Sequence, residues 1–504
     1  MTRAPTSKSG NCPGRAGTFR APRRAAALLL LACLSACAVG PSYHKPAAEI
    51  PAGFKEGAEW QRAHANPDGA LTSTWWLDYH DDQLSQLIDQ ALRSNQSIAG
   101  AEAAYRLAQA TVSASRAALF PTITANAGAT RSEGGVASAA ATGIPAGVGN
   151  VVTADVAVSW EIDLWGRIRR QLESSKAAAQ ASDAQRAGER LSIAAAVAGD
   201  YFALRQADVD IALLGEQQDI DSKLLAMATA NYSQGAGSND DVLVAQDTLE
   251  AAIAFLQATL TQREQLEHAL AVLVNVPPAS FTIKPSPEYA FQSPAVPLSL
   301  PSQLLERRYD VVSAERSAAS ANARIGVAEA AFYPALDLAG EAGYEHNRFA
   351  QLFSLPNRFW TLGPSLAETI FDGGARTAAV REARATYDED VANYRQTVLS
   401  AFQSVEDSLS SCNHLRQQAQ SFNGIYDRNR RLFENTRTQR QIGAASEASL
   451  LTQRLTLLTA EQNLKDTQAS LTQAGVSLIK NLGGGWQWDE HRERQATASD
   501  AGTH

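Results

Sequence analysis

From Val152 to Leu164 the chain alternates without a break. Val152, Ala154, Val156, Val158, Trp160, Ile162 and Leu164 are apolar, and Thr153, Asp155, Ala157, Ser159, Glu161 and Asp163 lie between them. Period 2 over such a run predicts a strand with one apolar and one watered face. It is slightly longer than the roughly 9–11 residues that cross a bilayer obliquely. Residues 122–130 alternate more weakly through Ile123, Ala125, Ala127 and Ala129. Leu336 and Leu338, then Trp360, Leu362 and Leu366, carry the same period further on. A half-buried sheet of a soluble domain has this pattern too. Four strands are therefore predicted, and the rest of the chain reads as helix. Residues 82–118 form one helix rich in Ala, Gln and Leu, closed by Pro121. Arg167 to about Tyr232, and Ala375 to Gln441, contain no proline. Each is about 100 Å of helix at 1.5 Å per residue, too long for a compact soluble domain. Each ends at a short turn, Gln234-Gly235-Ala236-Gly237 or Ile442-Gly443-Ala444-Ala445. Glycine there suits a left-handed cap. Ser238 or Asn239, and Ser446, are placed to cap returning helices of about 37 residues.

The chain is one unit written twice. Leu92, Ala101-Glu102 and Phe120-Pro121 recur as Leu305, Ala314-Glu315 and Tyr333-Pro334, 213 residues later. Gly166, Gly235-Ala236 and Leu243 recur as Gly374, Gly443-Ala444 and Leu451, 208 residues later. The five-residue change falls between Pro121 and Gly166, so the two intervening loops differ in length. Residues 276–301 carry seven prolines and link the halves.

Composition narrows the class. The chain has 504 residues, 45% hydrophobic and only 19% charged, with net charge −9. Mean hydropathy is −0.22, and no apolar run reaches the roughly 20 residues of a spanning helix. A polytopic helical membrane protein and a nucleic-acid binder are both excluded. The cysteines, Cys12, Cys33, Cys37 and Cys412, have no metal-ligand spacing. No HExxH, GxSxG or Walker motif is present, so no catalytic or metal site is assigned.

The first residues give an address. Arg3, Lys8, Arg15, Arg20, Arg23 and Arg24 precede an apolar run from Ala25 to Leu34, followed by Leu34-Ser35-Ala36-Cys37. This reads as a signal peptide over 1–36 ending in a sequence like a bacterial lipobox. Its removal takes six positive charges, so the net charge falls from −9 to −15. Cys37 would carry diacylglyceryl and N-acyl lipid, a stable anchor, and Cys412 would be left without a disulfide partner. Ala38, by its likeness to the corresponding residue of other lipoproteins, directs sorting to the outer membrane.

Four strands cannot close a barrel, and an open edge in lipid leaves backbone groups unpaired. Two, three or four copies give roughly 8, 12 or 16 strands. The helices would continue as a tube of packed hairpins.

The motifs carry a resemblance. They are Cys37-Ala38-Val39-Gly40-Pro41, Trp75-Trp76 leading to Asp82-Gln83-Leu84, Asp163-Leu164-Trp165-Gly166-Arg167, Ile370-Phe371-Asp372-Gly373-Gly374, and Leu482-Gly483-Gly484-Gly485-Trp486. The chain resembles outer-membrane efflux lipoproteins of the TolC/OprM type, on the NodT branch of resistance-nodulation-division systems. The resemblance implies a mixed α and β homotrimer: a 12-stranded membrane barrel with four strands per chain, continuing into a long α-helical coiled-coil tunnel. It implies a passive exit duct, docked to a periplasmic adaptor protein and an inner-membrane efflux pump, with no chemistry of its own. The chain then divides into a lipidated equatorial segment (37–81), a first repeat (82–275), a Pro-rich linker (276–301), a second repeat (302–488) and a disordered tail (489–504). A channel for type I protein secretion and a coiled-coil structural lipoprotein are the alternatives.

By the same resemblance the tunnel narrows just beyond the two glycine turns, at Asp241, Leu243 and Val244 and at Ser449, Leu451 and Thr452. Relatives often carry carboxylates at the second set. Here Ser449 and Thr452 stand instead, which leaves Asp240 and Asp241 as the acidic candidates. In a trimer they would ring the aperture and attract cations; in a lone helix they simply favour its N-terminal dipole. Gly235, Ala236 and Ser238, with Gly443, Ala444 and Ser446, are the candidate adaptor contacts. Tyr309, within Arg307-Arg308-Tyr309-Asp310, replaces the proline that relatives often have, an altered helix start. Trp75 and Trp76 are expected to pack inside the protein, and Trp160 and Trp360 to belong to an aromatic girdle.

Overall fold

The computed structural model describes residues 38–57, 73–134, 147–294, 296 and 308–486. The expected signal peptide over 1–36, Cys37 and residues 489–504 lie outside them. Two short helices, α1 (Asp82–Ser94) and α2 (Gln96–Ala117), precede strands β1 (Thr122–Gly134) and β2 (Gly147–Glu161). A 67-residue helix α3 (Arg167–Ser233) and its 35-residue return α4 (Asn239–Leu273) complete the first half. The second half repeats the plan: α5 (Tyr309–Ala330), β3 (Ala335–His346), β4 (Arg358–Ala367), α6 (Ala375–Gln441) and α7 (Glu447–Asn481). Among the described residues no helix is long and apolar enough to cross a membrane. The long helices and turns match the sequence expectation closely, because nothing in either run competes with helix.

Three expectations need correction. The helix expected over 82–118 is two helices, broken at Asn95, whose φ −63° and ψ 133° are extended. Asn95 Oδ1 accepts from the backbone N–H groups of Ser97 and Ile98, and its Nδ2 donates to the Leu273 carbonyl at 2.9 Å. The asparagine thus caps α2 and ties the break to the end of α4. The strand expected at 152–164 runs instead from Gly147 to Glu161. Ile162 still donates to the Leu336 carbonyl, but Asp163 turns to cap α3 through the Ile168 and Arg169 N–H groups. The strand expected at 122–130 extends to Gly134.

The chain forms two compact units. The first, built from 114–173 and 323–383 with the N-terminal residues, holds one antiparallel sheet in the order β1-β2-β3-β4. Among the described residues β1 and β4 each have one unpaired edge. Trp165 stacks on Tyr333 at 4.8 Å, and its Nε1 donates to the Pro334 carbonyl. The residues following Cys37 are held here too: Val39 N–H donates to the Trp165 carbonyl, and Arg170 donates to the carbonyls of Val39 and Gly40.

The second unit contains the hydrophobic core. Trp75, Tyr79, Leu84 and Ile88 pack on Tyr201 and Phe202 of α3, Leu270 of α4, Tyr394 and Leu409 of α6, and Ile479 of α7. Trp75 and Trp76 are buried there, as expected. Tyr309, in place of a proline, lies over Gly188, where an added Cβ would sit 2.1 Å from the ring. Arg308 pairs with Asp310 and donates to the Asn481 carbonyl.

Candidate functional site

The sheet sorts its side chains by chemistry. Partners across each seam share a face, and the observed registers put Ile123 beside Val158, Val158 beside Gly340, and Gly340 beside Leu362. Ala125, Ala127, Val156, Trp160, Leu338, Ala342, Trp360 and Leu366 follow on this same side. A one-residue slip at any seam would exchange the two sides, so all three registers agree. Ile123, Trp360, Leu362 and Leu366 are each 67–69% exposed, which no aqueous domain tolerates on one continuous face. The other face carries Thr124, Asn126, Asp155, Thr361 and Ser365, with Asp337, Glu341 and Glu345 along β3. Asn126 Nδ2 donates to Asp155 at 2.8 Å across the first seam. One face suits hydrocarbon and the other suits water, as in a barrel wall with a polar interior.

Each long helix starts from a capping aspartate just beyond the sheet. Asp163 serves α3, and Asp372 accepts from the Gly374 and Arg376 N–H groups at the start of α6. The Arg376 guanidinium and these N–H groups hold the Asp372 carboxyl down to about 2. The Asp163 and Asp372 motifs are therefore strand-to-helix junctions.

The hairpin turns are built alike. Gly235 and Gly443 have φ of 73° and 78°, and Ala236 and Ala444 donate back to Asn231 and Gln439 at 2.8 Å each. These are left-handed helix ends that an L side chain resists. Ser238 Oγ accepts from Asp241 N–H, and the Asp241 carboxylate accepts from Ser238 N–H and Oγ, a reciprocal capping box. That contact lowers the Asp241 pKa. In the second turn Ser446 Oγ accepts from Ser449 N–H, and Glu447 pairs with Arg440 at 2.9 Å. Gly235, Ala236, Ser238, Gly443, Ala444 and Ser446 are all solvent-facing or nearly so.

The six candidate aperture residues divide. Asp240, Asp241, Leu243, Ser449 and Thr452 are exposed. Leu451 is buried, packed with Ile220 and Leu458. Asp240 and Asp241 share a cavity of about 300 Å³ with Asp221, Leu224, Val244, Ala245, Thr248 and Leu455. Asp221 is 2% exposed, and burial raises its pKa while Gln217 opposes. The sequence reading missed Asp221, because it lies nearly four turns of helix before the Gly235 turn and meets the other two only when α4 folds back.

It also missed two polar centres in the second unit. Asp208, fully buried, pairs with Arg205 at 2.8 Å and Arg263 at 2.7 Å, and accepts from Ser286 N–H. Arg205 and Arg263 donate onward to the carbonyls of Lys284 and Ile283. The Pro-rich segment is thus strapped to α3 and α4. Asp81 caps α1 and accepts from the hydroxyls of Tyr201 and Tyr289 at 2.8 Å each. Only a motif-level signal, Asp82-Gln83-Leu84, pointed near it.

Among the described residues no cluster could hold a metal ion, and Cys412 is a buried free thiol that burial pushes up to about 11.

The model of the outer membrane efflux protein family matches residues 87–276 and 300–484. The chain is 28% identical over 454 residues to the probable efflux pump outer membrane protein TtgC of Pseudomonas putida, covering 90% of this chain and 93% of that one. It is 26% identical over 462 residues to nodulation protein T of Rhizobium leguminosarum, covering 91% of each. The structure superposes on the outer-membrane channel OprN with TM-score 0.79 and 29% identity, over 90% of this chain and all of that one. With a two-faced sheet, two long helical hairpins and a family match over both halves, the chain belongs to the outer membrane efflux protein family.

Proposed function

We propose that this chain is the outer-membrane exit duct of a tripartite efflux pump, a passive route for drugs or other small toxic compounds. The observation that carries this reading is the sheet: three seams in mutual register, one continuous apolar face, one acidic polar face and two open edges. Such a sheet needs lipid on one side and further copies at its edges. Three copies sharing a 12-stranded barrel is the arrangement proposed here, with 82–275 and 302–488 as the repeats of each and 276–301 as the linker. The relatives named efflux pump outer membrane proteins support the pump context.

In this proposal Cys37 carries the lipid anchor, and residues 38–40 hold it beside the β2–α3 junction. The exposed turns at Gly235–Ser238 and Gly443–Ser446 contact the periplasmic adaptor, behind which stands the inner-membrane pump. Asp240 and Asp241 supply the acidic ring of the aperture, with Leu243, Ser449 and Thr452 around it; Leu451, expected there too, packs behind them against Ile220 and Leu458. Asp221 joins the two acids in one cavity. The chain performs no bond chemistry, and transport is driven from the pump.

The test is single-channel recording from purified protein in planar bilayers, beside the Asp240→Ala/Asp241→Ala variant. Discrete steps with cation preference, weakened at least about threefold in the variant, are expected for charged rings. Steps unchanged by the substitutions would keep the duct and remove the ring. Absence of steps from folded protein would overturn the duct and favour the structural lipoprotein.

A further inference from the structure

Residues 347–357 join β3 to β4 through two single 3-10 turns, Phe349–Gln351 and Leu355–Asn357. The loop closes on itself. Asn357 Nδ2 donates to the Gln351 carbonyl and to Ser354 Oγ, at 2.7 Å each, and Ser354 Oγ donates to the same carbonyl. Arg348 N–H donates to His346 Nδ1 at 3.0 Å, and the Leu352 side chain is buried. Yet Phe349, Phe353 and Leu355 are 73%, 68% and 78% exposed. A loop folded for water keeps three such side chains against the protein. Here the polar groups bond to one another and the apolar ones point out.

The side of the sheet on which the loop lies is fixed by Phe353. Its ring meets Tyr344 edge-on, with centroids 5.5 Å apart. Tyr344 stands opposite Ala154 and Arg358, and alternation puts it on the apolar face with Leu338 and Ala342. The loop is therefore drawn to the apolar side, at the hairpin end, away from the Asp163 and Asp372 junctions. Charge enters that face only at this end. On β4 the face runs through Leu366, Pro364, Leu362 and Trp360 before it reaches Arg358. On β1 it runs from Ile123 to Ala129 before Arg131, with Glu133 one step beyond. Arg348 follows in the loop, and no acid occurs from His346 to Ala367, in a chain of net charge −9. Among the described residues the Arg348 and Arg358 guanidinium groups form no hydrogen bond and no ion pair.

We propose that the β3–β4 loop is a lipid-binding element: Phe349, Phe353 and Leu355 enter the boundary between headgroups and acyl chains, and Arg348 and Arg358 hold the phosphate of an anionic lipid there. This rests on the reading of the apolar sheet face as lipid-facing, and adds to it a contact that selects headgroups. Aromatic and aliphatic side chains favour that boundary. A guanidinium pairs with two phosphate oxygens at once while its stem stays on apolar surface. Because the loop is closed by its own hydrogen bonds, it loses little freedom on binding. Two features name lipid as the occupant. The exposed side chains continue the sheet face above Trp360, and the rim they share is basic. The same loop of a second copy would set Arg348 and Arg358 against their own kind, which repels.

Fluorescence quenching tests the loop in the mature protein, reconstituted in vesicles of phosphatidylcholine and phosphatidic acid. A thiol-reactive fluorophore is placed at Leu355→Cys, at Leu362→Cys on the sheet face, or at Ala236→Cys in the exposed turn; Cys412 is buried and stays unlabelled. Leu355 is a surface side chain, so its replacement leaves Leu352 and the Asn357 hydrogen bonds in place. Acyl-chain spin-labelled lipid is expected to quench at 355 and 362 about five times as strongly as at 236, and aqueous iodide in the reverse order. Spin-labelled phosphatidic acid is expected to quench at 355 about three times as strongly as spin-labelled phosphatidylcholine. Arg348→Gln/Arg358→Gln is expected to abolish that preference and leave quenching at 362 unchanged. A probe at 355 that behaves like 236, with 362 still in lipid, overturns this proposal and keeps the lipid-facing sheet. A probe at 362 that behaves like 236 overturns the sheet reading, and the loop with it. Shielding of 355 from both quenchers shows a protein cover and overturns lipid as the occupant. Equal quenching by the two lipids in the wild-type loop overturns the phosphate contact.

Discussion

Arg454 of α7 grips Glu216 of α3 with two parallel hydrogen bonds, Nε to Oε1 and Nη2 to Oε2, each 2.6 Å long. The guanidinium also lies over the Phe433 ring of α6. This fork ties the second hairpin to the first beside the cluster of Ile220, Leu451 and Leu458. Both side chains keep partial access to solvent, so the pair is worth about 1 kcal/mol rather than the figure for a buried one. Arg454→Ala is expected to speed amide exchange around 448–458 about fivefold, read by mass spectrometry. Arg454→Lys keeps the charge, loses the fork and falls between. Equal exchange in all three would show that the fork holds nothing.

Asp208 is a buried carboxylate shared by two arginines in the second unit. Removing it leaves Arg205 and Arg263 facing one another without their shared carboxylate. An uncompensated buried charge costs about 3–5 kcal/mol. Asp208→Ala is expected to lower the urea midpoint sharply, and limited proteolysis is expected to cut first near Ile283–Ser286, where the strap is released. Asp208→Asn keeps part of the hydrogen bonding and is expected to lose less.

A buried carboxylate pair gives the helix contact a pH dependence. Asp210 of α3 lies against Asp466 of α7, with Gln206 donating to Asp466 at 2.9 Å. Burial first, then the neighbouring Asp466 charge, push Asp210 up to about 7, with Gln462 opposing, and burial raises Asp466 too. A raised carboxyl pKa means the folded state holds protons that the unfolded chain has released. Stability from this pair is therefore complete below the ordinary carboxylate range and declines as pH rises toward about 7. Asp210→Asn is expected to flatten that decline and to raise the thermal midpoint at pH 7.5 relative to wild type. A decline of unchanged slope in the variant would assign it to other groups.

The two turns should differ in strength. Ser238 and Asp241 cap each other, whereas Ser446 caps α7 without a returning acid. Ser238→Ala is expected to cost about 1–2 kcal/mol of local stability and Ser446→Ala about 0.5–1 kcal/mol. Exchange at the first amides of α4 and α7 reads both.

Within the sequence, the legible parts were those that local physics decides. Unbroken runs with no proline specify α3 and α6, because helix propagation is favourable once started. Glycine after each run marks the turn, because only that backbone reaches positive φ cheaply. Strict alternation specifies β2, and the repeat carries the same plan to weakly alternating β1, β3 and β4. Asn95 shows the limit. Its break was invisible inside an Ala- and Gln-rich run, because the cap it makes is rewarded by the Leu273 carbonyl, 178 residues away.

The sequence by itself determined the elements, their duplication and the two-faced strands, since each rests on neighbours in the chain. Tertiary structure alone decided the seams and the polar centres. Strand register depends on which residues face one another, and Asp208 meets Arg263, or Asp221 meets Asp240, only after helices fold back. Burial then changes what those groups cost: a carboxylate that is ordinary in the unfolded chain must find a cation, a proton or a donor once water is removed.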